Sequence, residues 1–207
     1  MEKIRKYSIS IFIGLGVLLL SSCDFMYDNP GEETNSSSNS FSSIDASSYS
    51  AWVYVNLSTH KTTTVEITDT ENIPVDWDFA IHRYNCKTNG GAVMETDYEQ
   101  LSALTESSIS LSGEFTSDIM TDSVVITDVS EMMSGKLVYQ KTYLNNVLSH
   151  WMTLDTSIMP PSYTTSDRVY ILKLKDDTYA AIKFTDYMNA AGTKGYISFD
   201  YIYPFSL

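Results

Sequence analysis

The chain has 207 residues, of which 13% are aromatic and 19% charged, and its formal net charge is −13 at pH 7. This length fits one domain with a sizeable core, and so acidic a chain repels nucleic acid and anionic lipid head groups. The sequence contains no Gly-rich phosphate loop, Gly-x-Ser-x-Gly elbow, His-Glu-x-x-His motif or Cys-x-x-Cys motif. We therefore predict a protein that is not an enzyme and has no nucleic-acid partner.

The first 22 residues have the pattern of a lipoprotein signal peptide. Three basic residues precede the apolar run Ile11–Leu20, which is too short to span a bilayer, and the ending Leu-Ser-Ser-Cys23 reads as a lipobox. The small residues before Cys23 disfavour the alternative of an ordinary secretory signal with a coincidental cysteine. We predict cleavage before Cys23 and lipidation of this residue, so that only the lipid anchor contacts the membrane.

Residues 23–44 are predicted to form a flexible tether. Asn35–Ser43 reads NSSSNSFSS, which offers little apolar surface for a core. The folded domain is therefore predicted to span residues 45–207. Within it, Cys86 has no disulfide partner once Cys23 is lipidated, and we predict that it is a small buried hydrophobe.

From residue 45 onward the residue pattern is typical of an all-β protein with antiparallel sheets. Segments rich in aromatic and β-branched residues predict strands at 51–57, 62–68, 77–85, 124–128, 168–175, 179–184 and 196–203. Turns are predicted at Asn89–Gly91 and Asp176–Asp177. We find no convincing amphipathic helix and no internal repeat.

The segment 128–163 fits this pattern less simply, because it holds four of the nine methionines. Met132 and Met133 stand before a Ser-Gly turn, and Met159 precedes two prolines that suit a loop presenting a side chain. Thioethers can serve as axial ligands of haem iron, whereas most methionines simply fill gaps in cores. The residues alone leave both interpretations open.

Three sequence motifs indicate a family: Trp77–Gly91 (WDFAIHRYNCKTNGG), Lys183–Tyr187 (KFTDY) and Lys194–Pro204 (KGYISFDYIYP). Through these motifs the chain resembles the HmuY family, the haem-binding lipoproteins of Bacteroidetes outer membranes, over roughly residues 45–207. The resemblance implies a single β domain whose long loops form a cleft for haem b. It also favours a surface-exposed lipoprotein of the outer membrane, which would take haem from host haem proteins and pass it to a TonB-dependent receptor.

The resemblance further implies a ligand set, because haem in this family is held between two loops by a His/His or a Met/Met axial pair. Aligned on Trp151, Tyr163 and Arg168, the second histidine of the His-type members falls at Thr156, which cannot coordinate iron strongly. Met159 follows three residues later, and Met132 lies 27 positions before it. The ligands implied are Met132 and Met159, with Met133 and His150 as alternatives and Tyr139, Tyr143 and Tyr163 as candidate pocket walls.

A competing interpretation is a carbohydrate-binding or adhesive β-sandwich lipoprotein that uses exposed Trp and Tyr as stacking platforms. Its support is the content of 15 Tyr and 3 Trp, although aromatic residues are also common in β cores. The three histidines are too scattered to predict a zinc site. Of these, His82 is predicted to make a structural hydrogen bond, and His60 is predicted to be solvated.

Overall fold

The computed structural model of the chain describes residues 39–104 and 113–207. The predicted signal peptide, Cys23 and the first part of the predicted tether lie outside these residues. The described residues form sixteen strands, all paired antiparallel, and one four-residue α-helix. The prediction of an all-β fold with antiparallel sheets is confirmed. No helix in the described ranges is long and apolar enough to cross a membrane.

The largest sheet has six strands in the spatial order β1, β16, β15, β14, β6, β7. Their bounds are β1 Asn39–Asp45, β6 Ala92–Glu95, β7 Thr116–Ser117, β14 Tyr170–Lys173, β15 Tyr179–Met188 and β16 Lys194–Phe205. Its centre is a hairpin of the two longest strands, β15 and β16, with Phe184 opposite Phe199.

A second sheet has four strands in the order β3, β2, β4, β5. Its bounds are β2 Ala51–Asn56, β3 Lys61–Glu66, β4 Phe79–His82 and β5 Asn85–Thr88. The sequence predicts one strand over 77–85, but the structure divides this region into β4 and β5. The break occurs because Arg83 adopts a φ of 60°, a left-handed conformation that turns the chain.

Three two-stranded ribbons form the segment between β7 and β14 of the six-stranded sheet. They pair β9 (Ile126–Asp128) with β10 (Val138–Tyr139), β8 (Ile119–Thr121) with β11 (Thr142–Leu144), and β12 (Met152–Asp155) with β13 (Ser162–Thr165). The helix α1, Asn146–Ser149, follows β11. Its cap is Asn145, whose side-chain oxygen accepts a hydrogen bond from the Leu148 amide at 2.9 Å.

The two larger sheets share one hydrophobic core. Phe79 of β4 and Phe199 of β16 are both fully buried, and their ring centroids lie 5.5 Å apart. Trp151 and Cys86 are buried in the same cluster, so the prediction for Cys86 is confirmed. Burial raises the pKa of the Cys86 thiol far above its usual range, which keeps it unreactive at neutral pH.

The folded domain begins earlier than the sequence predicts. Strand β1 starts at Asn39, within the predicted tether 23–44, and pairs with β16 from Asn39 opposite Tyr201 to Asp45 opposite Tyr196. Phe41 and Ile44 are the buried residues of this strand. The ring centroids of Phe41 and His60 lie 4.1 Å apart in a stacked arrangement. This stacking helps to bury Phe41 in a strand that is otherwise rich in serine.

Two predicted turns are present where the sequence places them. Asp177 has a φ of 64° between β14 and β15, and Asp176 accepts hydrogen bonds from the Thr178 amide and hydroxyl. Gly90 has a φ of 72° in the turn between β5 and β6.

Candidate functional site

A cleft of about 130 Å³ opens between two loops that belong to the ribbons. We call it the loop cleft. One wall comes from β9 and the segment between β9 and β10, and the opposite wall comes from the β12–β13 hairpin. The lining residues are Tyr49, His82, Arg83, Tyr84, Asn85, Val124, Ile126, Val129, Met132, Leu137, Leu154 and Tyr163.

The walls are mainly apolar, and local sequence explains their shape. Met132 begins a 3-10 turn, Met132–Ser134, which ends at Gly135 with a φ of 77°. Glycine fits this left-handed position because it has no Cβ, so the Ser-Gly pair sets the turn that carries Met132. Met132 is 56% exposed, so its thioether is available at the surface of the cleft.

The floor of the loop cleft is an arginine held by backbone groups. The Nη1 atom of Arg83 donates a 2.6 Å hydrogen bond to the Ser47 carbonyl, and the guanidinium lies 4.5 Å from the Tyr49 ring centroid. A side chain at Gly195, where φ is +92°, would approach Ser47 at 2.8 Å and Arg83 at 3.2 Å. The Nε atom of Arg83 is buried without a hydrogen-bond partner.

Tyrosines surround this arginine. Tyr163 stacks on Tyr187 at 5.3 Å, and the ring of Tyr84 meets Tyr187 edge-on at 6.4 Å. Burial raises the pKa of Tyr187 to about 12, and its hydroxyl is buried without a partner. The floor therefore offers aromatic surface and polar atoms that are not fully satisfied, as expected next to a ligand site.

His82 is structural, as predicted. It is fully buried, and its Nε2 lies 2.9 Å from the Tyr49 carbonyl oxygen, which fixes Nε2 as the donor. Burial lowers the pKa of His82 below its usual range, so the ring stays neutral at physiological pH. His60 is exposed, yet its Nδ1 lies 2.9 Å from the Tyr201 hydroxyl, so it is not simply solvated as predicted.

The other predicted site residues lie at varied distances from the loop cleft. Met159 is 87% exposed in the loop between β12 and β13, the hairpin whose Leu154 and Tyr163 line the cleft. Met133, 95% exposed, is adjacent to Met132 on the opposite wall but does not line the cleft. Met159 itself does not line the cleft, and its loop is related to the cleft only through the two strands of this hairpin.

Three further candidates point elsewhere. His150 is an exposed residue that ends α1, and Tyr139, 40% exposed on β10, is absent from the cleft lining. Tyr143 lies on β11 and lines a different cavity. Of the three predicted tyrosines, Tyr163 alone lines the loop cleft.

Sequence reasoning did not identify Tyr49, Arg83 or Leu137 as lining residues. Arg83 lies within the motif HRYNC. Its position at the cleft depends on the pairing of β4 with β5 and on its hydrogen bond to Ser47, which local sequence does not reveal. Within residues 39–104 and 113–207, no group of three or more His, Cys, Asp or Glu side chains could hold a metal ion.

Comparison with known proteins finds solved structures with a similar fold. A solved structure described as an HmuY-like haem-binding protein from Bacteroides vulgatus is 45% identical, with a TM-score of 0.76 over 82% of this chain and 93% of that one. A lipoprotein from Bacteroides fragilis is 46% identical, with a TM-score of 0.77 over 85% and 94% of the two chains.

A third structure, the apo form of an HmuY analogue from Tannerella forsythia, is 29% identical, with a TM-score of 0.68 over 80% of this chain and 93% of that one. No curated protein matches the chain. The sequence profile of the HmuY protein family matches residues 48–201. Since this match covers well over half of the sequence, the chain belongs to the HmuY family.

Proposed function

We propose that this protein binds haem b in the loop cleft and holds the iron between the thioethers of Met132 and Met159. The observation that carries the proposal is that Met132 lines a cleft in a member of the HmuY family, and that Leu154 and Tyr163, from the hairpin that carries Met159, line the same cleft. Iron in haem offers two axial positions, and methionine is a known ligand for it. Met133 is the alternative on the first loop, and His150 is the nitrogen alternative.

The residues of the loop cleft fit the parts of a porphyrin. Val124, Ile126 and Leu154 provide apolar walls, and Tyr163 provides an aromatic face. Arg83 supplies a fixed positive charge with an unpartnered Nε, which suits a carboxylate side chain of the ligand. These groups would orient the ligand and exclude water from it.

The loop cleft is too small to hold a porphyrin without a change in the positions of its loops. Its volume of about 130 Å³ is below the roughly 300 Å³ at which small-molecule pockets begin. The two loops must therefore separate to admit a porphyrin. Both are exposed and carry no large buried side chain at their tips, so their separation leaves the shared core intact.

The wider role that we propose is that of a haemophore-like lipoprotein of the outer membrane. Cys23 would carry the lipid anchor, and the chain would be exposed at the cell surface. Haem would come from host haem proteins and pass to a TonB-dependent receptor. The family assignment, the absence of catalytic motifs from the sequence and the likeness to a Bacteroides fragilis lipoprotein support this role.

A visible-absorption titration of the purified protein with haemin, with and without dithionite, tests haem binding. We expect a Soret shift that saturates, and tighter binding after reduction, because a soft thioether ligand favours ferrous iron. Haemin titrated into buffer without the protein controls for spectral changes of free haemin. Absence of a Soret shift in both redox states would exclude haem as the ligand.

The pH dependence of binding distinguishes thioether from imidazole ligands. A thioether takes no proton in the accessible range, whereas an imidazole ligand, with an ordinary pKa of about 6.5, is protonated as the pH falls. We therefore expect haem binding to persist between pH 7 and pH 5. The same titration at half-unit steps checks this, and a steep loss of affinity below pH 6 would favour a histidine ligand.

A further inference from the structure

A second and larger cavity lies away from the loop cleft and shares no lining residue with it. Its volume is about 500 Å³, within the range of roughly 300–1,000 Å³ typical of small-molecule sites. The lining includes Trp77, Lys87, Asn89, Asp118 and Tyr143. We call it the Lys87 cavity.

Lys87 is held in this cavity by aromatic rings, and the nearby Asp118 carboxylate attracts its charge without forming an ion pair with it. Its Nζ lies 4.1 Å from the ring centroid of Trp52, 5.3 Å from that of Tyr54 and 5.8 Å from that of Trp77. Its one hydrogen bond is a long contact of 3.5 Å to the Tyr54 hydroxyl. In the part of the chain that the structure describes, no ion pair includes Lys87.

Removing the charged ammonium of Lys87 from water costs free energy that a bound anion would offset. Burial lowers the pKa of Lys87 to about 8, and the attraction of the Asp118 carboxylate only partly opposes this effect. The aromatic rings stabilise the cation from one side, but they accept no strong hydrogen bond from it. Donors that remain free on a cation facing an open cavity favour an anionic ligand.

The aromatic walls of the cavity suit a ring-shaped ligand. Tyr143 is 55% exposed, so its ring is accessible, and half-buried Trp77 is held edge-on by Tyr54 at 5.0 Å with an interplanar angle of 82°. The Asn89 side-chain amide donates a 2.9 Å hydrogen bond to the Trp77 carbonyl, which fixes the neighbouring turn. The faces of such rings are the usual platforms for sugars and other flat or semi-flat rings.

Polar groups beside the aromatic walls favour a hydroxylated ligand over a purely apolar one. The Asp118 carboxylate accepts hydrogen bonds from the Thr88 amide at 2.7 Å, the Thr88 hydroxyl at 3.0 Å and the Asn145 amide at 2.9 Å. These bonds fix its orientation, and a carboxylate has about four acceptor sites, so capacity remains for a ligand hydroxyl.

From these observations we propose that the Lys87 cavity binds a hexuronic acid, with the sugar carboxylate on the Lys87 Nζ and the sugar ring against Trp77 or Tyr143. Asp118 would accept a hydrogen bond from a ring hydroxyl. The proposal does not depend on haem binding, because the two sites share no lining residue.

Isothermal titration calorimetry of the purified protein with D-glucuronate tests this proposal, with D-glucose as the neutral control of the same ring size. We expect glucuronate to bind and glucose to bind far more weakly. Lys87→Met removes a charge-assisted hydrogen bond and should weaken binding about ten- to one-hundredfold, and Tyr143→Ala should weaken it by removing the stacking surface.

Two matched variants control for charge and aromatic loss. Lys136→Met removes an exposed lysine that pairs with Glu131, and Tyr139→Ala removes an exposed tyrosine; neither lines the cavity. Both should bind glucuronate as the unaltered protein does. Equal affinity for glucose and glucuronate, unchanged binding in Lys87→Met, or no heat from glucuronate would each overturn the proposal.

The pH dependence gives a second readout that needs no variant. Binding should weaken as the pH rises through about 8, because the ammonium of Lys87 loses its charge there. The other titratable groups that face it are Asp118 and Tyr54, and burial raises the pKa of both. Tyr54 therefore stays neutral in this range, and a flat profile from pH 6 to pH 9 would contradict a role for Lys87.

Discussion

Replacing Met159 with Ala is expected to abolish the low-spin ferrous spectrum of the haem-loaded protein. Met159 is 87% exposed in the loop between β12 and β13, so its removal should leave the fold intact. The loss would come from one missing axial ligand, which leaves the iron five-coordinate. Visible spectra of the dithionite-reduced protein, recorded with one equivalent of haemin, measure this change directly.

Met132→Ala should give the same loss from the opposite side of the cleft. Met133→Ala separates the two neighbouring candidates: on this turn Met132 rather than Met133 lines the cleft, so the Met133 variant should keep the low-spin spectrum. Met188→Ala, at a methionine 38% exposed on β15, serves as the matched control. A normal low-spin spectrum in both Met132→Ala and Met159→Ala would exclude the thioether pair, and its loss in His150→Ala would then identify a nitrogen ligand.

Trp151→Ala is expected to be the most destabilising single change that we consider, with a cost of about 3–5 kcal/mol in the free energy of unfolding. Trp151 is fully buried and stacks on Phe184 with ring centroids 4.3 Å apart. Its Nε1 also donates a 2.9 Å hydrogen bond to the Tyr84 carbonyl. Alanine would leave both a cavity and an unsatisfied acceptor.

Urea unfolding monitored by circular dichroism measures this cost. Trp151→Phe keeps an aromatic ring but loses the hydrogen bond, so it should lose less stability than Trp151→Ala. The exposed variant Tyr139→Ala should stay within about 0.5 kcal/mol of the unaltered protein. A cost below about 1 kcal/mol for Trp151→Ala would show that this stack does not anchor the β12–β13 hairpin.

Strands with strong local patterns could be predicted from the sequence, and strands that depend on distant partners could not. β14 and β15 are rich in aromatic and aliphatic residues and flank an Asp-Asp turn, so both could be identified from the sequence. β1 is rich in serine, and its identity as a strand depends on pairing with β16 and on the contact between Phe41 and His60. No local propensity encodes such contacts.

The same distinction applies to the sites. The turn and the prolines around Met132 and Met159 are local sequence features, so they could be identified from the sequence; Met132 lines the loop cleft, and the Met159 loop joins the two strands that contribute Leu154 and Tyr163 to it. Arg83 reaches that cleft only through Ser47. The aromatic rings around Lys87 were not predicted. Trp52 and Tyr54 reach Lys87 only because β2 pairs with β4 and β4 pairs with β5, and this pairing cannot be read from local sequence.

The two edge strands of the six-stranded sheet affect whether copies of the protein at high density associate through this sheet. An open strand edge is a template for a strand of another molecule, and such pairing leads to aggregation. Here one edge, β7, is only two residues long, and the other, β1, is interrupted by a bulge at which Ser43 adopts a φ of 56°. Within the described residues, neither edge offers a long flat register, which disfavours pairing of copies through this sheet at high density.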